Sequence, residues 1–464
     1  MNRHDIRNIT TLICVCATAL WAVIYYVSTS GSANGPGTVN SPFRSIQKAL
    51  DAADEPGDTV LVRKGTYTEY FKFNHGGSPK GHITLKAYPN EYVTIQGRNS
   101  DPGCYQVQVP DGISYVRIQG FTFRDFYADA SIGPYTERCR IAVIQLRDGC
   151  TNVQILDNVI RDTHGRQGQA ISVRCYSKTR PVTDLLIDGN YFTHIASNPG
   201  ESVTIVGNVD SWIFCNNEFY DNPGATNSTL DPQDGSPYGI DDSPTGGLVK
   251  NNYWHNSPTI YADGSSGNVY DGNIFKDINS YAICFSTEHT GQKADSNIVM
   301  NNIFINIKTP VYSGMWSCCG DPYTTDQVVG TKFINNITYG GGGWNLHWQR
   351  GTIVYNNIFS NAGGIYLSNT KDIKIDYNLY HNSGARGGSH SVNGDPLFVD
   401  PENGDFRIRE GSPAINAGCP TPGFFGVTDY SGVSRPLGKA PDIGIHEFGG
   451  AVEAARKWLG NGSA

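Results

Sequence analysis

Four phrases in the second half of the chain decide its architecture: IVMNNIF (298–304), KFINNITY (332–339), IVYNNIF (353–359) and IDYNLY (375–380). Each is a short alternating strand, then one or two Asn or Gly, then an apolar or aromatic pair. The phrase recurs upstream as ILDNVI (155–160), LIDGNYF (186–192), IFCNNEFY (213–220), LVKNNYW (248–254) and VYDGNIF (269–275). Its key residue falls at Asn158, Asn190, Asn217, Asn252, Asn273, Asn302, Asn336, Asn357 and Asn378, at intervals of 32, 27, 35, 21, 29, 34, 21 and 21 residues. Loops added to a fixed coil produce such a floor of 21 with longer intervals above it. Self-similarity at that period marks a solenoid, whose repeats bury their apolar faces against their neighbours.

The repeated segments are short, β-branched and alternating, as in VTDLLIDG and SVTIVG, and no long helical pattern separates them. A parallel β-helix is therefore expected, rather than a leucine-rich horseshoe or a helical array. Asn at a fixed place suits a sharp bend, because Asn tolerates the left-handed region. Stacked coils would set these amides in a ladder. An open solenoid needs covered ends. A cap helix is expected from Ser41-Pro42, with Phe43, Ile46, Leu50 and Ala53 as its apolar face. The repeat breaks at DPLFVDPENGDFRI (395–408), where a C-terminal capping module is expected.

Charge narrows the partner. The net charge is -8 over 464 residues, without a basic cluster, which argues against nucleic acid. Arg3 and Arg7 precede an apolar run from Ile9 to Val27. As a helix it would span roughly 28 Å, with its N-terminus in the cytoplasm and the rest outside. It reads as a membrane anchor or a long signal peptide, with Ser28, Ser30 and Ser32 as small residues that permit cleavage. The remaining protein is expected to be extracytoplasmic, secreted or anchored. Nine cysteines lie beyond that run, so at least one has no partner within the chain; their scatter does not match zinc spacing. The expected division is 1–30 signal or anchor, 31–390 β-helix, 391–450 capping module and 451–464 a short terminal helix or tail.

GTVNSPFRSIQKALDAADEPGDTVLVRKGTYTE (37–69) resembles the opening of secreted β-helix proteins of the pectate-lyase-like superfamily. DPLFVDPENGDFRI, GSPAINAG (411–418) and PDIGIHE (441–447) resemble a closing module common in them. With the coils, the resemblance covers about residues 35–450 and implies an all-β, right-handed, single-stranded parallel β-helix that handles carbohydrate. It does not choose a reaction, because this fold hosts lyases, hydrolases, epimerases and passive binders. GESVTIVGNV (200–209), YGIDD (238–242), IYADGSSGNV (260–269) and AICFSTE (282–288) are similar to β-helical glycosidases such as the β-xylosidases of glycoside hydrolase family 120. That likeness implies Asp263 as nucleophile and Glu288 as acid/base.

Alternation supports the pair independently. If Ile260 and Ile283 face inward, Asp263 and Glu288 lie at odd offsets from them and face outward together. Carboxylates on adjacent coils can reach the ~5–5.5 Å of a retaining glycosidase or stay at an inverting separation. Glu201, Asp241 and Asp242 are expected on preceding coils beside the substrate, with Asp231 and Asp234 in a nearby loop. Such carboxylates could instead hold Ca2+ and support β-elimination by a polysaccharide lyase, with Lys250, Lys276 or Lys293 as base. Pectate lyases of family 9 work through such an Asp cluster and a Lys. Tyr261, Trp316, Trp344 and Trp348 are candidate platforms for sugar rings, whereas Trp254 sits at a packed repeat position. Three readings stand: a glycoside hydrolase with no cofactor, a lyase using Ca2+, and a non-catalytic surface binder. Each has an oligo- or polysaccharide as partner.

Overall fold

The computed structural model describes residues 22–450 apart from 98–104, 129–141, 166–167, 196–200, 223–228, 234–242, 259, 288–291, 315–327, 385–386, 422 and 424–425. Each coil visits three parallel sheets in turn, as in Val153–Leu156, Val159–Gly165 and Gln169–Cys175. The first and second sheets have 13 strands each and the third has 11. The expected solenoid is therefore the observed one.

From Leu156 onward the first and second sheets are joined by two residues, and the second of these is the repeat asparagine. Carboxamides bond directly from Asn158 through Asn378, for example Asn252 Nδ2 to Asn273 Oδ1 at 2.9 Å and Asn273 Nδ2 to Asn302 Oδ1 at 3.0 Å. Each interior Oδ1 also accepts the backbone N–H of the preceding ladder Asn, as Asn273 does from Asn252 at 3.0 Å. The ladder thus satisfies the backbone of a buried turn. The bend itself belongs to the residue before: Asp157, Asn216, Asn251, Asn301, Asn335, Asn356 and Tyr377 carry the positive φ. The expectation that the ladder asparagines are themselves left-handed is corrected. Two jobs are split between neighbours.

Inside, second-sheet side chains stack coil on coil: Phe192 on Phe219 at 4.5 Å, then Trp254 and Phe275 at 4.9 Å from one another. Trp254 is fully buried, as expected, and its Nε1 donates to Thr229 Oγ1 at 2.8 Å.

The helix is Ile46–Ala52, four residues later than expected. Phe43, Ile46, Leu50 and Ala53 are all buried against the first coil. Glu69 accepts from the Ile46 amide at 2.8 Å and from Ser45 Oγ at 2.7 Å, placing a carboxylate at the helix N-terminus, where the dipole favours it.

Both ends differ from expectation. Ile24–Ser32 is the first strand of the first sheet, paired through Ile24–Val27 with Thr59–Val62. The expected helix through Val27 therefore cannot continue past Val23; its residues 9–21 lie outside the described ones. No helix among the described residues is long and apolar enough to cross a membrane. The C-terminal module lies along the side of the solenoid. Outward-facing Ile303, Ile337, Ile358 and Leu379 of the second sheet pack against Phe398, Phe406, Ile443 and Ile445. The module is held by the turn residues too: Asn335 Nδ2 donates to Gly444 O at 2.9 Å, and Asn356 Oδ1 accepts from Cys419 N at 2.8 Å. Within it Arg435 and Glu447 form a fully buried ion pair at 2.9 Å. Val392–Asn393 adds to the last coil's second-sheet strand at Leu379–Tyr380, and the rest of the segment covers an apolar stripe on that sheet. The expected helix at 451–464 lies outside the described residues.

Candidate active face on the third sheet

Nearly all the long connections adjoin the third sheet. They run before Ala142, Val203 and Leu230, and after Gln233, Ser286 and Gly314. Its strands alternate so that Ile260 and Ala262 enter the core while Tyr261 and Asp263 face out. The outward side chains are nevertheless covered. Gln145, Ser172, Arg174, Thr204, Asp231 and Asp263 are each at most 1% exposed. Outward, polar and buried is an unusual combination, because desolvating such groups is costly unless they are paired or used.

Register orders these residues into two rows. One runs Gln145–Ser172–Thr204–Asp231, then Tyr261, Cys284 and Tyr312. The other runs Arg174–Val206–Gln233–Asp263–Ser286. Asp263 Oδ2 accepts from Gln233 Nε2 at 3.3 Å. Tyr261, two residues before Asp263, shares its side of the sheet. Further along, Tyr312 meets His347 edge-on at 5.9 Å, and Tyr366 is 52% exposed. Burial alone holds the His347 proton affinity below the ordinary histidine range, so its imidazole is neutral at pH 7.

The expected site residues divide accordingly. Asp263 and Tyr261 are brought together. Glu288, Asp241, Asp242, Asp234 and Trp316 lie outside the described residues. Glu201 precedes its strand at the opposite end from the Asp263 row. Five residue steps and two strands separate them, about 16 Å along the strand alone, so Glu201 is not beside Asp263. Trp344 is not a sugar platform. It faces the core, fully buried, with Nε1 donating to Thr338 Oγ1 at 2.9 Å and its ring 4.9 Å from Phe359. Thr338 interrupts the phenylalanine column between Phe304 and Phe359, and the indole fills that gap. Trp348 is half-buried, three strands from Asp263, at a turn with φ 55°.

Lys250 and Lys276 belong to the first and second sheets, Lys250 pairing with Asp271 at 2.8 Å, and Lys293 lies in the connection after Ser286. None stands on the third sheet. Among the described residues no cluster of His, Cys, Asp and Glu could hold a metal ion. Cys150, Cys175, Cys215 and Cys419 are free thiols. Arg174, Gln233 and Tyr312 were not singled out from sequence. The alternation in QAISVRC and STLDPQ carried the signal, since an inward Ile171 or Leu230 sends Arg174 and Gln233 outward.

A fold of three parallel sheets, with a polar buried face on the sheet that the longest connections adjoin, defines a class of solenoid built around one elaborated side. The family description "Pel9A-like, right handed beta helix region" matches residues 25–141, and "Right handed beta helix region" matches residues 142–326. Residues 25–326 thus match right-handed β-helix families of the pectate-lyase-like kind, and the chain shares their fold. It is 24% identical over 450 residues to the uncharacterized protein YwoF of Bacillus subtilis (strain 168), covering 84% of this chain and 91% of that one. It is 38% identical over 81 residues to pectate lyase PEL9 of Emericella nidulans, covering 17% of this chain and 20% of that one. Among solved structures it resembles XylC in complex with xylose, at a TM-score of 0.57 and 14% identity, covering 92% of this chain and 98% of that one.

Proposed function

We propose that this protein is an extracytoplasmic glycoside hydrolase acting on an oligo- or polysaccharide laid across the third sheet, with Asp263 as nucleophile and Glu288 as acid/base. The observation that carries the reading is the fully buried, outward-facing Asp263 in a row of polar side chains. Glu288 follows Ser286, the register mate of Asp263, by two residues, and two peptide units extend at most about 7 Å. That short sequence distance supports pairing the two carboxylates, at the separation of a retaining or an inverting enzyme. The similarity to XylC, whose complex contains xylose, favours pentosides as first substrates. The hydrolase requires no cofactor. Glu288→Gln and Asp263→Asn should each lower turnover of aryl glycosides by roughly 10³-fold or more with the fold retained. An unchanged rate in either variant would remove it from the mechanism.

The second reading is a Ca2+-dependent lyase on uronate polymers, favoured by the 81-residue match to a pectate lyase. Its signature is an ultraviolet-absorbing unsaturated product that disappears on chelation.

A further inference from the structure

The row that contains Asp263 begins with an arginine. Arg174 faces outward, 1% exposed, with Nε donating to Ser172 Oγ at 3.2 Å and Nη1 to Tyr176 OH at 3.3 Å. Tyr176 is itself held by its amide on Asp148 Oδ1 at 2.6 Å. In the preceding coil Leu146 is the register mate of Val173, so the next residue, Arg147, stands beside Arg174. A half-buried guanidinium just past the end of one strand thus follows a buried one on the adjacent coil, in a chain whose net charge is -8. Burial and the neighbouring Arg174 both oppose the charge on Arg147, with Asp111, Asp148 and Tyr176 acting the other way. Gln108 donates to Gln145 at 2.8 Å in the same coils, adding amides to the patch.

Guanidinium forks match the planar oxygens of carboxylates and the oxygens of sulfates, and neutral hydroxyls do not need them. Arg174 and Asp263 are three strand spacings apart, about 14 Å, or a few sugar units. We propose that Arg147 and Arg174 form a distal subsite for an anionic sugar, carrying a carboxylate or a sulfate, on the glycan whose bond is cleaved at Asp263. This deepens the hydrolase reading and rests on it.

The test uses the full chain carrying Asp263→Asn, so that binding is read without turnover. Matched neutral, uronate-bearing and sulfated oligosaccharides on xylan, galactan and glucan backbones are titrated by calorimetry at low salt. An anionic member should bind about tenfold tighter than its neutral match, the worth of one charge-assisted hydrogen bond. Adding Arg174→Gln should erase that ratio while leaving neutral affinity in place, and Arg174→Lys should restore part of it. Arg147→Gln provides the same reading should the Arg174 variants fail to fold. The carboxylate and sulfate arms decide which anion is held. Equal affinity for neutral and anionic ligands overturns the subsite and leaves the glycan face standing. So does an Arg174→Gln variant that weakens both alike, the mark of a purely structural arginine. Failure of every glycan to bind removes the face itself, and the subsite with it.

Discussion

Replacing Asn273 by Leu removes the carboxamide from the middle of the ladder while nearly preserving side-chain volume. Four buried hydrogen bonds go with it: from Asn252 N, from Asn252 Nδ2, to Val249 O and to Asn302 Oδ1, all between 2.8 and 3.0 Å. Asn252 Nδ2 keeps Phe214 O at 2.9 Å, and Asn302 Oδ1 keeps the residue-273 amide at 2.9 Å. The Asn252 N–H loses its acceptor inside the solenoid. An orphaned buried donor costs about 1–3 kcal/mol and each of the other three lost bonds about 1 kcal/mol, giving roughly 4–6 kcal/mol together. A solenoid can open by parts, so the measurement pairs urea denaturation with amide exchange across the coils of residues 248–303. Asn306→Gly serves as the control. Asn306 has φ 53° and makes an exposed bond to Asp277 at 3.0 Å, and the next coil already has Gly340 in the equivalent place. Its cost should stay within about 0.5 kcal/mol. If Asn273→Leu costs under 1 kcal/mol, or loosens all coils equally, the ladder does not hold the turns as argued.

Three further outcomes follow from the same packing. Trp344→Ala should cost about 3–5 kcal/mol in chemical denaturation, whereas Trp348→Ala should cost far less; the reverse order would refute the assignment of Trp344 to the core. His446, in the C-terminal module beside Asp429, is held down to about 4 by burial. The unfolded chain therefore binds its proton at higher pH than the folded one, and stability falls as pH drops from about 6.5 toward 4. The loss is on the order of 2–3 kcal/mol; a melting temperature unchanged between pH 7 and 5 would contradict it. Burial pushes the Cys150 thiol up to about 12, and burial with Asp188 does the same for Cys215. Neither should react with an aromatic disulfide at pH 8 until the chain unfolds, and rapid native labelling of either would refute this.

The fold was legible because its signal repeats. One strand–Asn–strand phrase is ambiguous; nine of them at a floor of 21 residues leave little but stacked coils. What the period could not carry is the division of labour inside the turn, because Asn251-Asn252 or Asn356-Asn357 reads the same whichever residue bends. Nor could it show where the C-terminal module goes. Ile303, Ile337 and Ile358 lie on the solvent side of the second sheet, yet in sequence they match residues of a fully buried strand. At the other end, the strand beginning at Ile24 continues the apolar run from Ile9 without a break in the sequence, so hydropathy ran the two together.

The site was legible only where alternation is unbroken. In IYAD, parity puts Asp263 outward, and in WNLH the same rule sends Trp344 inward; applying it there would have withdrawn Trp344 as a sugar platform. Parity gives no burial, and burial is the informative part. An outward acid on a bare sheet is a solvated charge, whereas Asp263 is enclosed with Gln233 beside it. The long connections next to that sheet follow no period and so offered nothing to read. The inserts that lengthen the intervals to 27–35 residues adjoin, with few exceptions, one sheet of three, and chance placement would have spread them over all three corners. The spacing irregularities that weaken the repeat therefore single out one side of the solenoid: the coil departs from its minimum length next to the sheet whose outward side chains are polar and buried.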